Sequence, residues 1–164
     1  MYLSCYNSPL GKIFLASDGQ NLTELCFKTH KYRSTFFNCA VSEPNLPVFK
    51  QTVKWLDIYF SGKVPGFTPP INPQGKPFSK TVWDILLKIP YGNTATYGQI
   101  AGEIAKQKGL NKMSAQAVGR AAGNNPIAII IPCHRVIGSD GSLTGYSAGL
   151  DKKIKLLKSE KIFF

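Results

Sequence analysis

Cysteine, histidine and arginine stand side by side at Cys133, His134 and Arg135, directly after a proline and a purely apolar run. Sulfur attacks as the thiolate, and a free thiol at neutral pH is mostly protonated. A neighbouring base or positive charge shifts that balance, and a rigid backbone keeps the sulfur on target. The triplet offers both, with His134 as base and Arg135 as nearby cation. Adjacent side chains on extended backbone point apart, so His134 reaches the thiol through a bridging water rather than directly. Taken alone, such a pair is more often a core cysteine beside a surface histidine. The other cysteines, Cys5, Cys26 and Cys39, form no CxxC pair and read as buried small hydrophobes. No ligand spacing typical of zinc joins them to His30, so no metal is expected.

Several elements must hold this triplet. Tyr2–Tyr6, Gly11–Ser17 and Leu22–Lys28 carry β-forming residues, with turn signals at Asn7-Ser8-Pro9 and Ser17-Asp18-Gly19-Gln20. They predict a small antiparallel sheet. Residues 47–60 have helical spacing, with Val48, Val53, Leu56, Tyr59 and Phe60 on one broad apolar face. Ser61–Pro77 holds five prolines and three glycines, which places a domain boundary there. Beyond it the pattern predicts helices over Ser79–Ile89, with Ser79 near the N-cap, over Thr96–Gln107, and over Ser114–Ala122, capped by Ser114. A helix, a turn at Lys108–Asn111 and a compact second helix follow the plan of a helix-turn-helix reader, which any αα-hairpin also gives. Ala128–Ile131 reads as a buried strand stopped by Pro132, and Ile137–Gly145 as turns. Leu150–Ser159 reads as an amphipathic helix with Leu150, Ile154 and Leu157 inward and four lysines outward.

At 164 residues and 43% hydrophobic content the chain can bury a core, and at 18% charged it is not a disordered one. Twenty basic residues face nine acidic ones, a net charge of +11, split as +4 over residues 1–76 and +7 over 77–164. A surplus of that kind suits a polyanion such as nucleic acid, or a merely basic surface. The first residues lack a basic stretch followed by an apolar one, and the longest purely apolar run is the five residues Ile127–Ile131. A signal peptide, a membrane span and a disulfide framework are therefore not expected, and the location expected is cytoplasmic.

The stretch IPCHRVIGSDGSLTGYSAGL, with Asn125-Pro126 ahead of it and Gly145-Tyr146-Ser147 within it, resembles the active-site signature of the O6-alkylguanine-DNA alkyltransferases, also called methylated-DNA–protein-cysteine methyltransferases. The resemblance covers residues 76–160, and the part beginning Ser8-Pro9-Leu10-Gly11 is similar to the family's first domain. It implies an α+β fold. Residues 1–75 would form a small ribonuclease-H-like domain with an antiparallel sheet. Residues 76–164 would form a helical, winged-helix-like DNA-binding domain with the active site. Cys133 would accept the alkyl group of O6-alkylguanine, or of O4-alkylthymine, once per molecule and without a cofactor. His134 would act through water as its base, oriented by Glu160, and Asn125 would hold the loop and the thiolate. Tyr97 would assist the leaving purine, and Tyr146 and Ser147 would wall the base pocket.

The same resemblance implies a monomer on double-stranded DNA, entering the minor groove with the helix Ser114–Ala122 and extruding the damaged nucleotide. Bound to DNA, the protein would be associated with the nucleoid. Ala115, Ala117, Gly119 and Ala121 would let that helix approach closely. Where the family usually has an arginine that fills the gap left by the flipped base, this chain has Gln116, which lacks the guanidinium plane and charge. Arg120, four residues on, would partly compensate through a phosphate. Arg135, Ser79 and Ser139 complete the residues assigned to DNA or substrate. Some family members hold a structural zinc to which Cys5 corresponds as one ligand. Three competing readings remain: a non-catalytic binder of alkylated DNA, argued against by the presence of Cys133; a cysteine hydrolase using Cys133, His134 and Asn125; and a winged-helix regulator.

Overall fold

The computed structural model describes residues 1–27 and 41–163, which fall into two compact units. Lys28, His30 and Cys39 lie outside the described residues. The first unit comprises Met1–Gln74 with Pro126–Ala128, and the second Gly75–Asn125 with Ile129–Phe164.

In the first unit, β1 (Tyr2–Ser8), β2 (Gly11–Ser17) and β3 (Leu22–Phe27) pair antiparallel, and β4 (Val41–Ser42) lies parallel to β1, giving the order β3-β2-β1-β4. The first strand runs two residues past the predicted Tyr6. The Ser8 hydroxyl donates to the Gly11 carbonyl at 2.6 Å and accepts from the Leu10 amide at 3.1 Å, so Pro9-Leu10 suffices as the loop. Gly11 follows with φ +111°, open to glycine and strained for other residues. Helix α1 (Pro47–Phe60) packs on the first three strands through Val48, Phe49, Thr52, Trp55, Leu56 and Tyr59. Val53 and Phe60, expected in that face, are only half-buried. Phe49 and Trp55 are buried in that face instead. Strand β3 has an outer partner. Leu25 donates to the Pro126 carbonyl at 2.9 Å and accepts from the Ala128 amide at 2.9 Å. Cys26 is buried, but Cys5 is exposed on β1, against the expectation that it packs as a small hydrophobe.

In the second unit, α2 (Pro77–Leu86), α3 (Tyr97–Gln107) and α4 (Ala115–Gly123) pack on one another. Helix α2 starts and stops earlier than Ser79–Ile89. Pro77, with φ preset by its ring, opens it, so Ser79 sits inside the first turn and is not the cap. At its end the Lys88 and Ile89 amides bond three residues back, to Ile85 and Leu86, before Pro90. Trp83 of α2 donates its indole N–H to the Ala121 carbonyl at 2.9 Å. Gly75 leaves that ring its room, since a Cβ there would stand 2.4 Å from it. Ala121 is thus core, not part of a surface that could approach DNA.

A reciprocal pair of bonds caps α3. Thr96 Oγ1 accepts from the Gln99 amide at 3.1 Å, and Gln99 Oε1 from the Thr96 amide at 2.8 Å. Ser114 caps α4 through the Ala117 amide at 3.2 Å. The short strands β5 (Ala95–Thr96) and β6 (Val136–Ile137) pair in parallel, which sets the start of α3 beside the turn that holds Cys133.

The apolar run is not a strand. Ile127 makes one isolated bridge to Leu25, residues 128–130 turn, and Ile129 takes φ +70° while fully buried. Prolines at 126 and 132 remove amide donors at both ends, so no ladder can propagate. A β-branched residue in the left-handed region costs roughly 1–2 kcal/mol, a strain that the surrounding packing must hold. Helix α5 (Leu150–Ser159) also turns a different face inward: Lys153, Leu156 and Leu157 are buried, while Leu150 is exposed.

Candidate active site

Cys133 opens a single 3-10 turn, Cys133–Arg135, rather than sitting on extended backbone. Pro132, at φ −83° and ψ 61°, makes an inverse γ-turn in which the Cys133 amide donates to the Ile131 carbonyl at 2.8 Å. Asn125 fastens this turn with both amide hydrogens. Its Nδ2 donates to Ile131 O at 2.8 Å and to Cys133 Sγ at 3.2 Å.

Behind the sulfur lies a buried ionic cluster. His134 Nε2 meets Glu160 Oε1 at 2.7 Å. Arg135 donates from Nε to Glu160 Oε2 at 2.9 Å, from Nη2 to Oε1 at 3.1 Å, and from Nη1 to the Ile89 carbonyl at 2.6 Å. The Gly92 amide adds a fourth donor to the carboxylate, at 3.2 Å. Tyr91 lies under the guanidinium at 5.8 Å and donates its hydroxyl to Ser159 O at 3.0 Å. This corrects the assignment of Arg135 to DNA or substrate: it is 8% exposed and each of its three nitrogens donates inward, to Glu160 or Ile89. Nor is its charge free to favour the thiolate.

The charges settle accordingly. Burial opposes ionisation of Glu160, but the hydrogen bonds and charges of His134 and Arg135 outweigh it and hold the carboxyl at about 2. Burial keeps His134 neutral below its ordinary range, against the pull of Glu160. Burial pushes the Cys133 thiol up, partly offset by the Asn125 hydrogen bond and by Lys153. The resting sulfur is therefore a thiol whose proton must leave during the reaction. A neutral imidazole fixed by a carboxylate can take such a proton.

On the other side, the Tyr97 hydroxyl donates to the Thr144 carbonyl at 3.1 Å, and burial raises its pKa, so the phenol stays a donor. Tyr146 stands edge-on to His134, ring centres 6.5 Å apart. Cys133, His134, Glu160, Asn125, Tyr97 and Tyr146 are thus brought together. Ser79, Ala115, Gln116, Arg120, Ser139 and Ser147 stand apart: Ser79 is half-buried and the others are exposed. Sequence reasoning missed Tyr91 and Lys153. The signal for Lys153 was its spacing: 153, 156, 157 and 160 fall on one helical face. Among the described residues no cluster of three or more His, Cys, Asp or Glu could hold a metal, and no helix is long and apolar enough to cross a membrane.

A buried cysteine held by an asparagine, before a histidine bound to a carboxylate, defines a protein that does nucleophilic chemistry with one sulfur. Residues 1–73 match the 6-O-methylguanine DNA methyltransferase ribonuclease-like domain, and residues 77–162 match the DNA binding domain of the same name. The methylated-DNA–protein-cysteine methyltransferase of Methanosarcina barkeri is 45% identical over 98% of each chain. That of Haemophilus influenzae is 39% identical over 99% of this chain and 87% of its own. The crystal structure of Mycobacterium tuberculosis OGT in complex with DNA superimposes with a TM-score of 0.86 at 40% identity, over 98% of this chain and 93% of that one. The chain belongs to the 6-O-methylguanine DNA methyltransferase family, the methylated-DNA–protein-cysteine methyltransferases of DNA repair.

Proposed function

We propose that the chain repairs DNA by moving a methyl or other alkyl group from O6 of guanine, or from O4 of thymine, onto Cys133 Sγ. One observation carries the reading: the Cys133 sulfur accepts from Asn125 at 3.2 Å while the adjacent His134 is bound to Glu160 at 2.7 Å. The thiol proton passes through a water to His134. Sulfur attacks the alkyl carbon, the C–O6 bond breaks, and its electron pair moves into the purine. A proton returns to the purine, with Tyr97 as the donor at the leaving group. The products are guanine and a thioether. A thioether has no easy hydrolytic exit, so each molecule reacts once, and the reaction calls for no cofactor.

The substrate is double-stranded DNA, approached by α4 from the minor groove with the damaged nucleotide turned out of the stack. Ala115, Gln116, Arg120, Ser139 and Ser79 are the contacts proposed for DNA, Tyr146 and Ser147 those for the extruded base, and the protein acts as a monomer. The test is the intact mass of the protein after mixing with a duplex carrying one O6-methylguanine. One added methyl on the Cys133 peptide, never more than one per chain, is expected. Binding of the duplex without any gain in mass would make the chain a damage binder instead.

A further inference from the structure

Lys153 is fully buried, and among the described residues no carboxylate lies within ion-pair distance of it. A buried, unpaired cation costs several kcal/mol, more than a neutral donor or an apolar side chain of similar length would. Its hydrogen bonds say what it holds. Nζ donates to Val136 O at 2.6 Å and to Thr144 O at 3.0 Å. Val136 leaves the turn of Cys133, and Thr144 O is also the acceptor of the Tyr97 hydroxyl at 3.1 Å. One carbonyl therefore joins the lysine to the phenol. When Tyr97 turns from Thr144 toward a purine, that carbonyl keeps its bond to the lysine, so the loop that carries it stays in place. The charge faces the sulfur too. Burial lowers the Lys153 ammonium, and Cys133 draws it back up.

We propose that Lys153 is a positioning residue for the transfer: it pins the Val136 and Thr144 carbonyls around Cys133 and Tyr97, and it supplies the positive charge that the thiolate meets as it forms. This rests on the reading of Cys133 as acceptor. Arg135 cannot take the part, because Glu160 neutralises it. The groups packed around the Cys133 turn are His134 and Arg135 of the turn itself, Asn125 after α4, Tyr97 at the start of α3, and Lys153 with Glu160 from α5 and its end. Of these, Lys153 alone carries an uncompensated charge.

The experiment compares wild type with Lys153→Gln and Lys153→Arg in single-turnover transfer from an O6-methylguanine duplex, as a function of DNA concentration and pH. In Lys153→Gln the rate at saturating DNA is expected to fall about tenfold or more, with half-saturation unchanged, and its rise with pH to move up by about 1 unit. Lys153→Arg, which keeps the charge, is expected to recover most of the rate. A folded Lys153→Gln protein with wild-type rate and pH profile overturns the proposal. Should Lys153→Gln fail to fold, the Lys153 side-chain nitrogen is titrated by NMR in wild type and in Cys133→Ala. Coupling is reciprocal, so over the pH range in which the thiol ionises the nitrogen is expected to hold its proton to higher pH in wild type than in Cys133→Ala; identical titration across that range overturns the proposal. If wild type moves no methyl group, the acceptor reading fails, and the same nitrogen titration still decides whether lysine and thiol are coupled.

Discussion

The cluster behind Cys133 and the outer face of α4 obey opposite rules. In the cluster, Glu160 takes four hydrogen bonds from three residues, all buried or backbone. Removing one partner leaves another charge buried without compensation. On α4, Ala115, Gln116 and Arg120 are exposed, and among the described residues no ion pair holds the arginine. A residue there can change with little consequence for the fold. That contrast explains how the chain can carry Gln116 where the resemblance implies arginine while the residues around Cys133 match throughout.

Cys133→Ala should abolish transfer completely and leave binding of the methylated duplex in place, read by intact mass and by gel shift. Retained transfer would mean another acceptor. Glu160→Ala strands Arg135 and should cost about 3–5 kcal/mol of stability in chemical denaturation, with Glu160→Gln losing less. A loss under 1 kcal/mol would show that the cluster relaxes. The acid limb has a definite sign. Glu160 is held at about 2 in the folded chain against 4.5 as its ordinary value. Its contribution is complete above about 4.5 and disappears as pH falls toward 2, roughly 3 kcal/mol in all. Stability measured between pH 5 and pH 2 should therefore fall less steeply in Glu160→Gln, and parallel curves would assign the acid limb elsewhere.

Smallest in stability terms are the changes on α4. Gln116→Arg should tighten DNA binding, and Arg120→Ala weaken it. Each should change the salt slope by about 1, with stability within about 0.5 kcal/mol of wild type. An Arg120→Ala slope identical to wild type would remove that residue from the phosphate contacts.

Alternating and helical spacings in the sequence located β1, β2 and β3 and all five described α-helices, because those patterns come from local geometry, whereas the two-residue β4 is too short to carry one. The misreadings share a physical cause. Ala128–Ile131 is apolar enough for a strand, but flanking prolines and the left-handed Ile129 are tertiary choices that hydrophobicity does not encode. Lys153 read as one of four outward lysines and Arg135 as a cation for the thiol or for DNA, and only the packed structure supplies the carbonyls and the carboxylate that take them inside. Cys133 and His134 were legible as a thiol beside a base, and Asn125 only through the resemblance carried by the stretch around them. Glu160 was legible only through the resemblance, lying 26 positions from its histidine.

The pairing of Leu25 with Pro126 and Ala128 also governs the order in which the chain can mature on the ribosome. Domains ordinarily fold as they emerge, N-terminal first, at about 5–20 residues per second. Here the outer edge of the first sheet stays open at Leu25 until residue 128 has been made, well after residues 1–74 have left. Through that interval a bare strand edge is exposed to pairing with a neighbouring nascent chain. Synthesis that stalls within α2 or α3 should thus yield a sticky fragment rather than a finished first unit.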